Sequence, residues 1–168
     1  MVLEEQSRLQ RETIVVRDRA MTTSELTYPV LILVKGGGMH VATSEDMLTT
    51  LNSHFLRRRG GFTGSILVDS SALATNILDT KFVSGKGRFW GYTIFLDRMV
   101  RVNLTLSDPF EMPLERVKRR VLGLLRSVAQ NQDPEYWQEA LCRITEAQSA
   151  SELIAALLPD WDLCVIFR

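Results

Sequence analysis

The sequence predicts an α+β fold, a mostly antiparallel sheet with helices packed on one face. Three observations carry this expectation. Short β-branched and apolar runs, separated by glycine turns, fill the first two thirds of the chain. Apolar residues at helical spacing dominate the last third. No linker-like stretch divides the 168 residues, so residues 1–168 are read as one domain.

Residues 1–12 are polar and are expected to fray or form a short helix. Residues 14–16 are β-branched and could open a strand; residues 17–26 read as a polar loop. The unbroken apolar pentad 30–34 after Pro29 predicts a strand buried on both faces. Gly36, Gly37 and Gly38 then suit a tight turn into a second strand, 39–42. Met47, Leu48, Leu51 and Phe55 fall at helical spacing behind Thr43 and Ser44 as caps. One helix is therefore expected, closing on Arg57, Arg58 and Arg59 before Gly60 and Gly61. Strands follow at 66–68, 77–83, 88–96 and 99–106, the last alternating cleanly between apolar and polar. The three segments within 77–106 read as a meander, with the aromatic strand 88–96 in its centre. Helices are expected over 114–128, 134–145 and 152–158, and a terminal strand over 163–167.

Composition narrows the function classes. Hydrophobic residues make up 45% and charged residues 24%, the usual globular mix. At this length roughly 70% of the unfolded surface can be buried, so no metal or disulfide is needed to support a core. Basic and acidic side chains number 20 each, and they balance in both halves of the chain. A nucleic-acid binder normally shows a basic excess, so nucleic acid is not favoured as the partner. No apolar run exceeds six residues, far short of the roughly 20 that cross a bilayer, and the charged N-terminus has no signal-peptide pattern. Cys142 and Cys164 sit among apolar neighbours and are read as buried free thiols. Together these features predict a cytoplasmic protein with no membrane partner.

Specific chemistry is sparse. The glycine clusters match neither a Walker loop nor the dinucleotide fingerprint: Gly85-Lys86 is followed by Gly87, and the third fingerprint glycine would be Val41 or Trp90. The two histidines, His40 and His54, do not form a metal-ligand pair, and no cofactor is predicted. No nucleophile-elbow pattern occurs. Asp69, at a strand end before Ser70 and Ser71, is the best lone carboxylate, with a turn-forming role as the competing account. Arg116, Arg119 and Arg120 share a helix face that could grip phosphate or an acidic surface, or simply be solvated.

The sequence therefore favours a protein-binding module over an enzyme. It would dock a partner on its sheet, as immunity-type or chaperone-like proteins do. Trp90 and Tyr92 are the expected apolar anchors and Arg101 the polar contact, with Arg57, Arg58 and Arg59 as further contact candidates. A homodimeric scaffold, or a ligand-binding protein or enzyme built on Asp69, is the alternative.

Overall fold

The computed structural model describes residues 21–85, 99–129 and 134–158. Within them the chain is an α+β protein. Strand β1 (Val30–Leu33) is buried at every position, and β2 (Met39–Ala42) pairs with it antiparallel. The turn between them places Gly36, Gly37 and Gly38 at φ of +88°, +100° and +116°. L-residues with a Cβ rarely enter that region, so the glycine run is what lets the hairpin close. Val34 and Gly38 hold the turn, the Val34 amide donating to the Gly38 carbonyl at 3.0 Å.

The expected single helix between the hairpin and Gly60 is corrected. It is two short helices, α1 (Glu45–Leu48) and α2 (Ser53–Arg59), with a strand between them, β3 (Thr50–Asn52). The helical spacing of the apolar residues lost to long-range pairing. Leu51 lies opposite Val100 of strand β6 (Met99–Leu106), and both enter the core. The break is capped locally: Ser44 Oγ accepts from the Met47 amide at 3.3 Å, and Asn52 Oδ1 accepts from the His54 amide at 2.7 Å. The stop signal of α2 is as expected, with three arginines in its last turn and Gly60 left-handed at the cap.

Strand β4 (Ile66–Asp69) lies on the other side of β1, and β5 (Leu73–Gly85) continues outward from it. The order is β2-β1-β4-β5-β6-β3, antiparallel throughout, with the two-residue β7 (Phe110–Glu111) beside the start of β5. Strand β5 pairs directly with β6 from Ile77 to Gly85. That corrects the meander, in which an aromatic strand stood between them; the aromatic segment lies outside the described residues.

The sheet curls, and its two faces build two cores. Val30 and Ile32 of β1 meet Leu67, Ile77, Val102, Leu104, Leu51 and Phe62 inside the curl. Leu31 and Leu33 meet Val117, Val121 and Leu125 of α3 (Leu114–Ala129) and residues of the two helices that follow, α4 (Pro134–Glu146) and α5 (Ala150–Leu157). The helices α3, α4 and α5 cover one sheet face, and the second half of the sheet, with α1 and α2, covers the other. Lys118, only 8% exposed, joins α3 to the end of α4 by donating to the Thr145 carbonyl at 2.9 Å. A cation there suits the negative end of the helix dipole. Among the described residues no helix is long and apolar enough to cross a membrane.

Two glycines after α2 should respond differently to substitution. Gly60 and Gly61 both have positive φ, at +69° and +62°. A Cβ on Gly60 meets only Thr63, at an ordinary contact distance of 3.9 Å, whereas one on Gly61 sits 2.7 Å from Thr80 Cγ2 and 3.2 Å from both Leu51 and Leu56. Urea denaturation should show Gly60→Ala losing about 1 kcal/mol and Gly61→Ala clearly more, about 2–4 kcal/mol. Equal losses would mean that the close packing around Gly61 is not present in solution.

Candidate functional site

The outer face of the β5–β6 pair takes its character from two β-bulges. Ile77 is opposite Leu106, but Asp79 is opposite Thr105; Phe82 is opposite Val102, but Ser84 is opposite Arg101. At each step β5 carries one residue more than β6, first Leu78 and then Val83. Strand β6 therefore keeps its expected alternation, with Val100, Val102, Leu104 and Leu106 buried and Arg101, Asn103 and Thr105 exposed. Strand β5 cannot alternate, because each inserted residue resets the pattern. Leu78 is left 56% exposed and Val83 55%. Phe82, although opposite the buried Val102, is 56% exposed at the same end of the strand.

Next to Val83 the sheet meets the start of α1, and a groove of about 460 Å³ lies between them. Its polar groups are Thr23, Glu45, Asp46, Thr49, Arg101 and Asn103. Arg101 Nη2 lies 3.0 Å from Asp46 Oδ1, an exposed pair worth about 0–1 kcal/mol by itself. Thr23 Oγ1 donates to Glu45 Oε1 at 2.5 Å. Nearby, burial and then the Glu45 charge push the Tyr28 hydroxyl up to about 12, so it stays protonated and donates to the Thr23 carbonyl. An apolar ridge beside an arginine and two carboxylates can bind and orient another surface. Among the described residues the groove pairs no Ser, Cys or Thr with a histidine, the pairing that acyl-transfer chemistry of the triad kind uses.

Of the residues singled out in the sequence, Arg101 belongs to this face. Arg57, Arg58 and Arg59 are exposed on the last turn of α2 and do not line the groove beside Arg101. Trp90 and Tyr92 lie outside the described residues. Leu78 and Val83 were missed because a bulge is set by cross-strand register, which no local pattern in 77–83 encodes. The adjacent apolar pair Phe82-Val83 was the available signal, since a regular one-faced strand does not place two neighbouring apolar residues in the core.

The remaining candidates do not line this groove. Asp69 is 1% exposed and acts as a turn-former. Its carboxylate accepts from the Thr27 amide (3.2 Å), the Ser71 amide (2.9 Å), Ser71 Oγ (2.6 Å) and the Leu73 amide (3.1 Å). His40 lies on β2, its ring 5.6 Å from that of Phe62 in the core, and burial pushes its pKa down to about 4. His54 is exposed in the first turn of α2. Cys142 corrects the expectation of a buried thiol. Ala140, Ile144 and Ala147 turn inward from α4 and the following residues, and Cys142 falls on the opposite, exposed side. Glu146 accepts from its thiol and pushes its pKa up. Cys164 lies outside the described residues. No known protein family, curated protein or solved structure matches the chain.

Two outcomes follow from these placements. Asp69→Ala strands four donors around a buried position and should cost about 3 kcal/mol or more in urea denaturation. A loss below about 1 kcal/mol would contradict the structural role. His40 is harder to protonate folded than unfolded, so the unfolded state takes up more protons as pH falls from about 6.5 to 4. The protein should lose up to roughly 3 kcal/mol across that window through His40, and no more through it below pH 4. The stability difference between wild type and His40→Gln, followed against pH, isolates this contribution from the carboxylates. A difference independent of pH would show that His40 is solvated.

Proposed function

We propose that this chain is a protein-binding module whose docking surface is the outer face of β5 and β6. One observation carries the reading. Among the described residues, the exposed large apolar side chains are Leu73, Leu78, Phe82 and Val83, and all four belong to β5. Elsewhere in the described sheet such side chains are buried or partly buried. Scattered surface leucines need no explanation, but Leu78 and Val83, each inserted by a bulge and more than half exposed, give the Arg101 side of the strand apolar area, whereas Phe82 lies on the Val102 side.

The anatomy matches that of an interface. Leu78 and Val83 supply apolar area, and Lys81, Asn103 and Arg101 surround them with polar groups. A partner would dehydrate the apolar side chains, each worth about 1.5–3 kcal/mol when fully covered. Arg101, steadied by Asp46, sits where a rim charge tunes orientation and association rate more than affinity. The fitting partner is a protein with an apolar patch of its own and an acceptor that reaches Arg101. A module of this kind acts by occluding or escorting what it binds.

The deciding variant is Leu78→Ser combined with Val83→Ser. Both side chains face solvent, so circular dichroism and urea denaturation should remain close to wild type. Wild-type protein should retain one stoichiometric protein from its native lysate, and the double variant should lose it by about tenfold or more. Retention equal to wild type, or no stoichiometric protein with either form, would remove this reading. Light scattering covers the self-pairing case: a dimer that the same variant dissolves would assign the face to a second copy instead.

A further inference from the structure

A second groove, away from the β5–β6 face, lies between the glycine turn of β1–β2 and helix α3. It measures about 450 Å³. Lys35, Gly36 and Gly37 form one wall, and Arg119, Arg120 and Gly123 form the other. All three side-chain charges on its lining are positive. Among the described residues Lys35, Arg119 and Arg120 have no ion-pair partner, whereas Lys118 on the same helix pairs with Glu115 at 3.4 Å. Cations gathered in a concavity repel one another, and an anion relieves that repulsion.

The groove is shaped as well as charged. The Lys35 amide is tied to Ser65 Oγ at 3.1 Å, and the Lys35 stem lies across Gly64, where a Cβ would come within 2.8 Å of Cδ. Gly64 thus leaves the room in which the lysine lies. Gly123, an interior position of α3, has nothing within 4 Å of where a Cβ would stand. A helix-interior glycine costs about 1 kcal/mol relative to alanine, and among the described residues no neighbour packs against this one to explain it. Gly123 and Arg119 also line the adjoining groove that leads to Arg126 and Lys118. Leu33, Ile66 and Leu124 give the first groove an apolar side.

We infer that this groove binds a small organic phosphate. Two guanidiniums and an ammonium suit a group with two negative charges and several acceptor oxygens, and guanidinium pairs with phosphate through two parallel hydrogen bonds. A monocarboxylate would leave two of the cations uncompensated. The apolar side suits the organic part, and the volume falls within the 300–1,000 Å³ typical of small-ligand sites, on the order of a nucleotide or sugar phosphate.

Titration calorimetry with pyrophosphate and with ADP as probes tests this. Wild-type protein should bind ADP saturably. Arg119→Ala with Arg120→Ala should weaken that binding by about tenfold or more, and Gly123→Gln should do so without changing charge. Arg57→Ala with Arg58→Ala removes the same charge from α2 and should change binding less than about twofold. Circular dichroism should show all three variants folded, with Gly123→Gln more helix-stable. Absence of saturable binding to either probe overturns the inference. So does an equal loss in the α2 control, which would reduce the effect to general charge. Binding of pyrophosphate without ADP would leave a bare-anion site and sink the organic-phosphate assignment.

Discussion

Leu73–Gly85 changes hydrogen-bonding partners part-way along its length, and both hydrophobic cores are arranged around that change. Its first residues belong with β4 and β7, and its remainder belongs with β6. A strand cannot switch neighbours without exposing backbone groups unless something else takes them up. Here Ser65 and Ser107 do so. The Ile77 amide donates to the Ser65 carbonyl at 2.9 Å and the Gly64 amide to the Ile77 carbonyl at 2.7 Å. Ser107 Oγ accepts from the Asn76 amide at 3.0 Å, while the Ser107 amide donates to the Asn76 carbonyl at 2.9 Å. With the ladder complete through the switch, the sheet bends back over its own inner face. Val30 and Ile32 are then covered by β6 and β3, and the opposite face remains for the helices.

This arrangement explains where polar atoms are tolerated. Asp69 is buried at the corner where β4 turns into β5, and its donors are mostly the backbone amides of that corner and of the segment entering β1. Lys118 is buried where α3 meets the last turn of α4. Both sit at junctions between elements, where backbone groups lack regular partners and a side chain can supply them. His40 is different: it faces an aromatic ring inside the curl, and its low proton affinity follows from that surrounding.

The two proposed surfaces are independent of each other. The β5–β6 face owes its apolar patch to bulges, which are backbone features. The basic groove owes its charge to α3 and its shape to glycines in a hairpin turn and in a helix. Helix α3 illustrates the division of labour along one element: Val117, Val121 and Leu125 face the core, and Arg119, Arg120 and Gly123 face the groove. Its amphipathic spacing was readable in the sequence, as was the basic face. The wall opposite was not, because Lys35 and Arg119 are brought together only by packing the helix on the sheet.

What the sequence determined by itself was whatever depends on near neighbours in the chain. The doubly buried β1, the glycine hairpin, the alternation of β6, the stop signal of α2 and the capped helix after Ser149 all rest on contacts within a few residues. The α+β class follows from their sum. Tertiary structure decided what depends on register and on closure. It turned Thr50–Asn52 into a strand, set β5 directly beside β6 and pushed Leu78 and Val83 onto the wet face. The physical reason is the same in each case. A strand's hydrogen bonds and exposed side are chosen by its partner, and shifting that partner by one residue exchanges core for surface, whereas a turn or a cap is completed by the residues beside it.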